Sequence, residues 1–203
     1  MNSAIVVVTC VVSFLAWRNQ SLMQRLIFFG PAVSRQGQYD RLLTHALVHQ
    51  DFWHLLFNMI TVWSFGEFVQ SYFVQLWPGV GSSAYLVFYC VAAVVAIYPT
   101  YLAHKSDSAY ASLGASGAAS AVLAVAVVLD PLSNVYIYGF GMPGWLYLIA
   151  FTALSVVLGR NPNSGINHNA HLAGTAFGVV AAFATAYLGG IDLWTHFINS
   201  FAQ

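Results

Sequence analysis

Charge is what this sequence has least of. Lys and Arg number 6 and Asp and Glu 6 among 203 residues, 6% in all with no net charge, where a soluble domain carries about a quarter charged residues. So few ionised groups cannot cover a water-facing surface, and the lack of a basic field removes the electrostatic footing for nucleic-acid binding. Cysteine is nearly absent too. Cys10 and Cys90 both lie inside apolar runs, which gives no disulfide framework and no C-x-x-C metal or redox motif. No internal repeat, linker or low-complexity stretch interrupts the chain. What is there is apolar. Hydrophobic residues make up 59% of the chain and the mean hydropathy is +0.71, which excludes a disordered chain and indicates an integral membrane protein.

Six apolar segments, 3–17, 52–73, 84–103, 115–129, 145–158 and 170–188, are each bounded by polar, Gly or Pro residues. The expectation is an all-α integral membrane protein: six transmembrane helices in one domain over residues 1–203, without an additional soluble domain, and with both termini on one side. Several segments fall short of the ~20 residues that cross a bilayer, so their ends recruit polar residues or the membrane is locally thin. The first run follows Met1, Asn2 and Ser3 with neither a positive n-region nor a cleavage site, so it reads as a span and not a removable signal.

Residues 18–51 form a long, structured loop between the first two spans. Within it Leu22, Met23, Leu26 and Ile27 recur at helical spacing, and Gly30-Pro31 reads as the stop of a short interfacial helix. Trp194, Phe197, Ile198 and Phe201 repeat the device after Gly189-Gly190. All six basic residues (Arg18, Arg25, Arg35, Arg41, Lys105 and Arg160) fall in the connections after spans one, three and five, a face that the positive-inside rule assigns to the cytoplasm.

Strongly polar groups inside spans are costly and mark functional positions. His54 and Asn58 share one helical face at the start of the second span, with Asp51 as the N-cap. Ser116 sits between glycines in Gly114-Ala115-Ser116-Gly117, near a helix N-terminus whose free N–H groups favour an anion. Alone, such a serine is a small residue at a helix contact. His168 and His171 open the sixth span, where Ala170, Gly174 and Gly178 form a small-residue stripe. That stripe permits close approach to Gly117–Ser120, which would bring the His171 imidazole towards the Ser116 hydroxyl. His45 and His49 precede the second span and read as structural, as does His168. Glu67 reads as a packing partner, and a histidine by itself is as well explained by a backbone hydrogen bond as by catalysis.

The runs R-L-L-T-H-A-L-V-H-Q-D-F-W-H-L-L-F-N-M (41–59), Y-A-S-L-G-A-S-G-A-A-S-A-V-L (110–123) and I-N-H-N-A-H-L-A-G-T-A-F-G (166–178) resemble, in order and spacing, the rhomboid family of intramembrane serine proteases. The resemblance covers nearly the whole chain and implies a minimal six-helix core. It implies a serine endopeptidase with Ser116 as nucleophile and His171 as base, with His54, Asn58 and backbone N–H groups near Ser116, including Gly114, stabilising the oxyanion. No cofactor or metal is implied. The partners are the lipid bilayer and a transmembrane helix of a protein substrate, entering between the second and fifth spans. No acid adjoins the A-H-x-x-G motif, so a Ser-His dyad fits better than a triad.

Departures from the family pattern are Asp40-Arg41 where many members have Trp-Arg, Gln70 where many have an acid, and Ser120 where some have an aromatic that stacks on the base. The family topology turns the site outward, against the basic-residue count, and is followed here. A bacterial inner membrane is the expected location. Two other readings stand beside this one: a silent rhomboid-like protein that binds membrane clients, and a histidine-based metal-binding membrane protein, though no H-E-x-x-H occurs.

Overall fold

A computed structural model describes residues 1–137, 139–160 and 165–202. In chain order the elements are α1 (Asn2–Arg18), α2 (Gln20–Leu26), β1 (Phe28–Phe29), α3 (Gly30–Gln36), α4 (Arg41–Thr44), a 3₁₀ turn (His45–Leu47), α5 (Phe52–Leu76), α6 (Gly81–His104), β2 (Ala111–Ser112), α7 (Ser116–Leu129), β3 (Asn134–Ile137), β4 (Phe140–Pro143), α8 (Gly144–Leu158), α9 (His168–Leu188) and α10 (Leu193–Ser200). Each of the six apolar segments is a helix, α1, α5, α6, α7, α8 and α9. Of these, α6 and α9 are long and apolar enough to cross a membrane by length and composition, while α1, α7 and α8 are shorter apolar helices.

The centre of the bundle is α7, buried on every side from Gly117 to Val128. Its 14 residues rise only about 21 Å at 1.5 Å per residue, less than the ~30 Å of a hydrocarbon core. Small residues set the closest contact. A Cβ on Gly174 would land on the Gly117 carbonyl and one on Gly178 on the Ala121 carbonyl, so α9 lies backbone to backbone on α7, the pairing read from the stripe.

The loop over residues 18–51 is anchored from within. Arg41, buried, donates from Nε to Gln38 Oε1 at 2.6 Å and from Nη1 to the carbonyls of Gln24 and Ile27 at 2.8 and 2.7 Å. Asp40 pairs on the surface with Arg25 at 2.6 Å. Arg41 therefore anchors the loop with Asp40, not Trp, before it. Gln70 accepts from the Asn2 N–H at 2.7 Å and ties α5 to the start of α1. Glu67, expected as a packing partner, is exposed.

One sequence expectation needs correction here. Gly30-Pro31 opens a helix, α3, instead of closing one, because proline at the first turn lacks only an N–H that has no helical partner there. Among the described residues two short antiparallel ladders accompany the helices. One pairs Phe28 with Ser112 and Phe29 with Ala111, and the other joins β3 to β4 between α7 and α8. The first fastens the long loop to the segment that leads to Ser116.

Candidate active site

That segment ends in a turn whose geometry only glycine suits. Gly114 has φ +113 and lies against the His54 ring, where a Cβ would stand 2.7 Å from both Cε1 and Nε2. Its N–H donates to the His45 carbonyl at 2.9 Å. The next N–H, of Ala115, donates to His49 Nε2 at 3.1 Å. Across the ring, His49 Nδ1 meets Ser13 Oγ at 3.1 Å, and the Ser13 hydroxyl donates to the Leu47 carbonyl at 3.1 Å. Because Nε2 accepts and the hydroxyl proton is committed to Leu47, His49 is neutral with its proton on Nδ1. Burial, followed by the neighbouring His54 and His45, pushes its pKa down to about 3.

Gly114 was expected to donate to the oxyanion. Its N–H is committed to His45, so its contribution is the turn itself. The backbone donors left at the head of α7 are Ser116, Gly117 and Ala118, since Ala119 already donates to the Ala115 carbonyl.

Ser116, His171, His54, Asn58 and Gly114, drawn from three distant stretches of chain, line one cavity of about 590 Å³ with Asn167 among their neighbours. Asp51 caps α5 as predicted, accepting the His54 N–H at 2.9 Å. Asn58 Nδ2 donates to the His54 carbonyl at 2.9 Å, leaving its second amide proton for the cavity. Ser120 donates its hydroxyl to the Ser116 carbonyl at 2.7 Å. The Ser116 and His171 side chains share the cavity without a hydrogen bond between them, and apo catalytic pairs often close only when substrate binds.

The His171 ring is held by aromatic contacts: Phe151 of α8 stacks on it with centroids 5.5 Å apart and planes at 29°, and His168 meets it edge-on at 5.8 Å. His168 is buried with neither ring nitrogen bonded, and so is His45, whose carbonyl rather than ring makes the structural bond. Among the described residues no group of three or more His, Cys, Asp or Glu could hold a metal ion.

Asn167 was missed in the sequence. It caps α9 by accepting the Ala170 N–H at 3.1 Å, accepts from Thr100 of α6 at 3.0 Å and donates to Ser112 of β2 at 3.3 Å. An Asn three residues ahead of the first apolar-periodic position is a recognisable cap signal. Phe151 left no such signal.

Comparison with known proteins gives the family. A family profile described as the Rhomboid domain matches residues 36–188. The chain is 31% identical over 163 residues to the rhomboid protease GlpG of Enterobacter sp. (strain 638), covering 77% of this chain and 51% of that one. It is 29% identical over 147 residues to the putative rhomboid protease YdcA of Bacillus subtilis (strain 168), covering 72% and 67%. It is also 28% identical over 179 residues to the RHOMBOID-like protein 12, mitochondrial, of Arabidopsis thaliana, covering 83% and 53%. The chain thus spans about half the length of several curated relatives that it matches.

Proposed function

Since the chain belongs to the rhomboid family, an integral-membrane family that includes intramembrane serine proteases, we propose that it is itself a serine endopeptidase that cuts transmembrane segments of membrane proteins with Ser116 and His171. The observation that carries this reading is the convergence of three separate motifs on one cavity at the head of α7. Non-helical backbone within a membrane is tolerated where it lines a water-filled cavity, and hydrolysis needs water.

In the proposed reaction the six long helices each cross the membrane and the substrate helix arrives laterally, between α5 and α8. On α8 only Gly144 and Ser155 are buried, so this helix is the one most lightly held. The substrate unwinds near Ser116, because a helix hides its carbonyls from attack. His171 takes the Ser116 proton as the hydroxyl adds to the scissile carbonyl, then returns it to the leaving amine. The oxyanion is met by the free N–H groups at the head of α7 with His54 and Asn58. Water, deprotonated by His171, then attacks the acyl carbonyl, and His171 returns that proton to the Ser116 oxygen as the ester bond breaks and the acid product leaves. The proposed location is a bacterial inner membrane.

Labelling of the detergent-purified protein by a fluorophosphonate tests the reading without a known substrate. Wild type should be labelled, and folded Ser116→Ala and His171→Ala should not. A folded wild type that reacts with neither this probe nor a smaller electrophile would overturn it in favour of a client-binding role.

A further inference from the structure

A serine-histidine pair works only if the imidazole keeps one orientation, a task commonly done by a carboxylate bonded to the far ring nitrogen. Among the described residues that device is missing. The acid that lines the cavity, Asp51, is committed to the His54 N–H, the Ser120 hydroxyl is committed to the Ser116 carbonyl, and among the described residues no hydrogen bond reaches the His171 ring. What does touch the ring is flat. Phe151 stacks on it at 5.5 Å and 29°, within the range of offset-stacked aromatic pairs. Phe151 is backed in turn by Tyr147, one helical turn earlier, at 6.1 Å and 22°. His168 closes the edge at 5.8 Å and 83°.

We infer that Phe151 is the positioning residue for the base: its face fixes the plane of the His171 ring and leaves the in-plane nitrogens directed along the cavity towards Ser116. The inference rests on the proposed protease reading. It gives α8 a second task besides lining the substrate's path. Because α8 buries little else, an outward displacement of this helix carries the stack away, and the alignment of the base depends on how α8 is seated.

The test compares wild type, Phe151→Leu and Phe151→Tyr in the full-length, detergent-purified chain, each shown to unfold at the wild-type temperature. Leucine keeps apolar bulk without a flat face. Misplacing a catalytic group costs up to about 10²-fold, so in Phe151→Leu the maximal rate of fluorophosphonate inactivation should fall about ten-fold or more with the probe's half-saturating concentration unchanged, while Phe151→Tyr should stay within about two-fold of wild type. Equal rates in wild type and Phe151→Leu overturn the inference. So does an equal fall in the Leu and Tyr variants, or a change confined to half-saturation, which would make Phe151 part of a binding wall. A second measurement is independent of catalysis. The His171 ring signals of histidine-labelled protein, identified with His171→Gln, should be single and sharp in wild type and Phe151→Tyr and exchange-broadened in Phe151→Leu; unchanged signals overturn the positioning role. Absence of labelling in wild type counts against the protease reading alone, because the ring signals still decide what Phe151 does.

Discussion

The backbone N–H of Ala115 donates to Nε2 of His49 at 3.1 Å, and this bond links the long first loop to the residue immediately before the proposed nucleophile. The same imidazole reaches Ser13 on α1 through Nδ1, so one buried ring couples the first helix, the loop and the head of α7. His49→Ala would strand the Ala115 N–H without a partner, at a cost of about 1–3 kcal/mol, and would free the turn that presents Ser116. The expected outcome is a lower unfolding temperature in detergent together with loss of fluorophosphonate labelling. His49→Gln, whose amide oxygen can accept the same N–H, should fall between the two. A His49→Ala protein as stable and as reactive as wild type would refute the coupling.

The same loop should make the fold acid-sensitive. Burial lowers the His45 pKa from 6.5 to about 4 and that of His49 from 6.5 to about 3. Below pH 6.5 the unfolded chain takes up protons at these positions and the folded one does not. The stability they support is therefore complete above that pH and is lost as pH falls towards the folded values. Each imidazole contributes a slope of up to about 1.4 kcal/mol per pH unit in that window. Unfolding temperatures measured from pH 7.5 down to pH 4.5 should decline, and replacement of both histidines by glutamine should flatten the decline. A flat wild-type profile would contradict the assignment.

Much of this architecture was legible in the sequence, because it rests on local pattern. Apolar runs marked the six long helices, Asp51 announced its cap, and the stripe of Ala170, Gly174 and Gly178 named α7 as its partner. The three motifs marked the cavity's polar residues because each is short and contiguous. What escaped depends on contacts between distant parts of the chain. Phe28–Phe29 becomes a strand only because Ala111–Ser112 passes beside it, and Gly114 loses its donor only because the His45 carbonyl lies opposite. Phe151 and His171 are twenty positions apart on different helices, and no periodicity in either helix predicts that they stack.

Gly114→Ala tests the turn directly. The residue sits at φ +113 and a methyl there would press on the His54 ring. Forcing a non-glycine residue into such a conformation costs about 1–3 kcal/mol. Relief comes from rotating the turn, which moves Ser116, or from pushing His54 out of the cavity. The protein should remain folded yet label more than ten-fold more slowly. Normal labelling would show that the turn tolerates a side chain.

Gly174 probes the contact beneath the site. A methyl on it would land on the Gly117 carbonyl, so Gly174→Ala forces α9 away from α7, and overpacking of this kind costs about 1–3 kcal/mol. The His171 imidazole moves with α9 while Ser116 stays on α7. Activity should therefore fall further than stability, seen as slow labelling at temperatures where the protein remains folded. Equal and proportionate losses would mean that the contact serves only the fold.

Graded loss among the polar residues would separate chemistry from support. Ser116→Ala removes the proposed nucleophile and His171→Ala the proposed base; since such residues act as a unit, either alone should abolish nearly all activity, and combining them should add little. Asn58 differs. One of its amide protons already serves the His54 carbonyl, and the N–H groups at the head of α7 remain when it is gone. Removal of a single oxyanion donor elsewhere costs about 10²–10³-fold in rate, and with other donors in place Asn58→Ala should lie at or below the lower end of that range. Cleavage of a transmembrane reporter in liposomes would rank the three. If Asn58→Ala proved as inactive as His171→Ala while folded, the oxyanion would depend on this amide far more than on the helix terminus, and the backbone donors assigned here would have to be withdrawn.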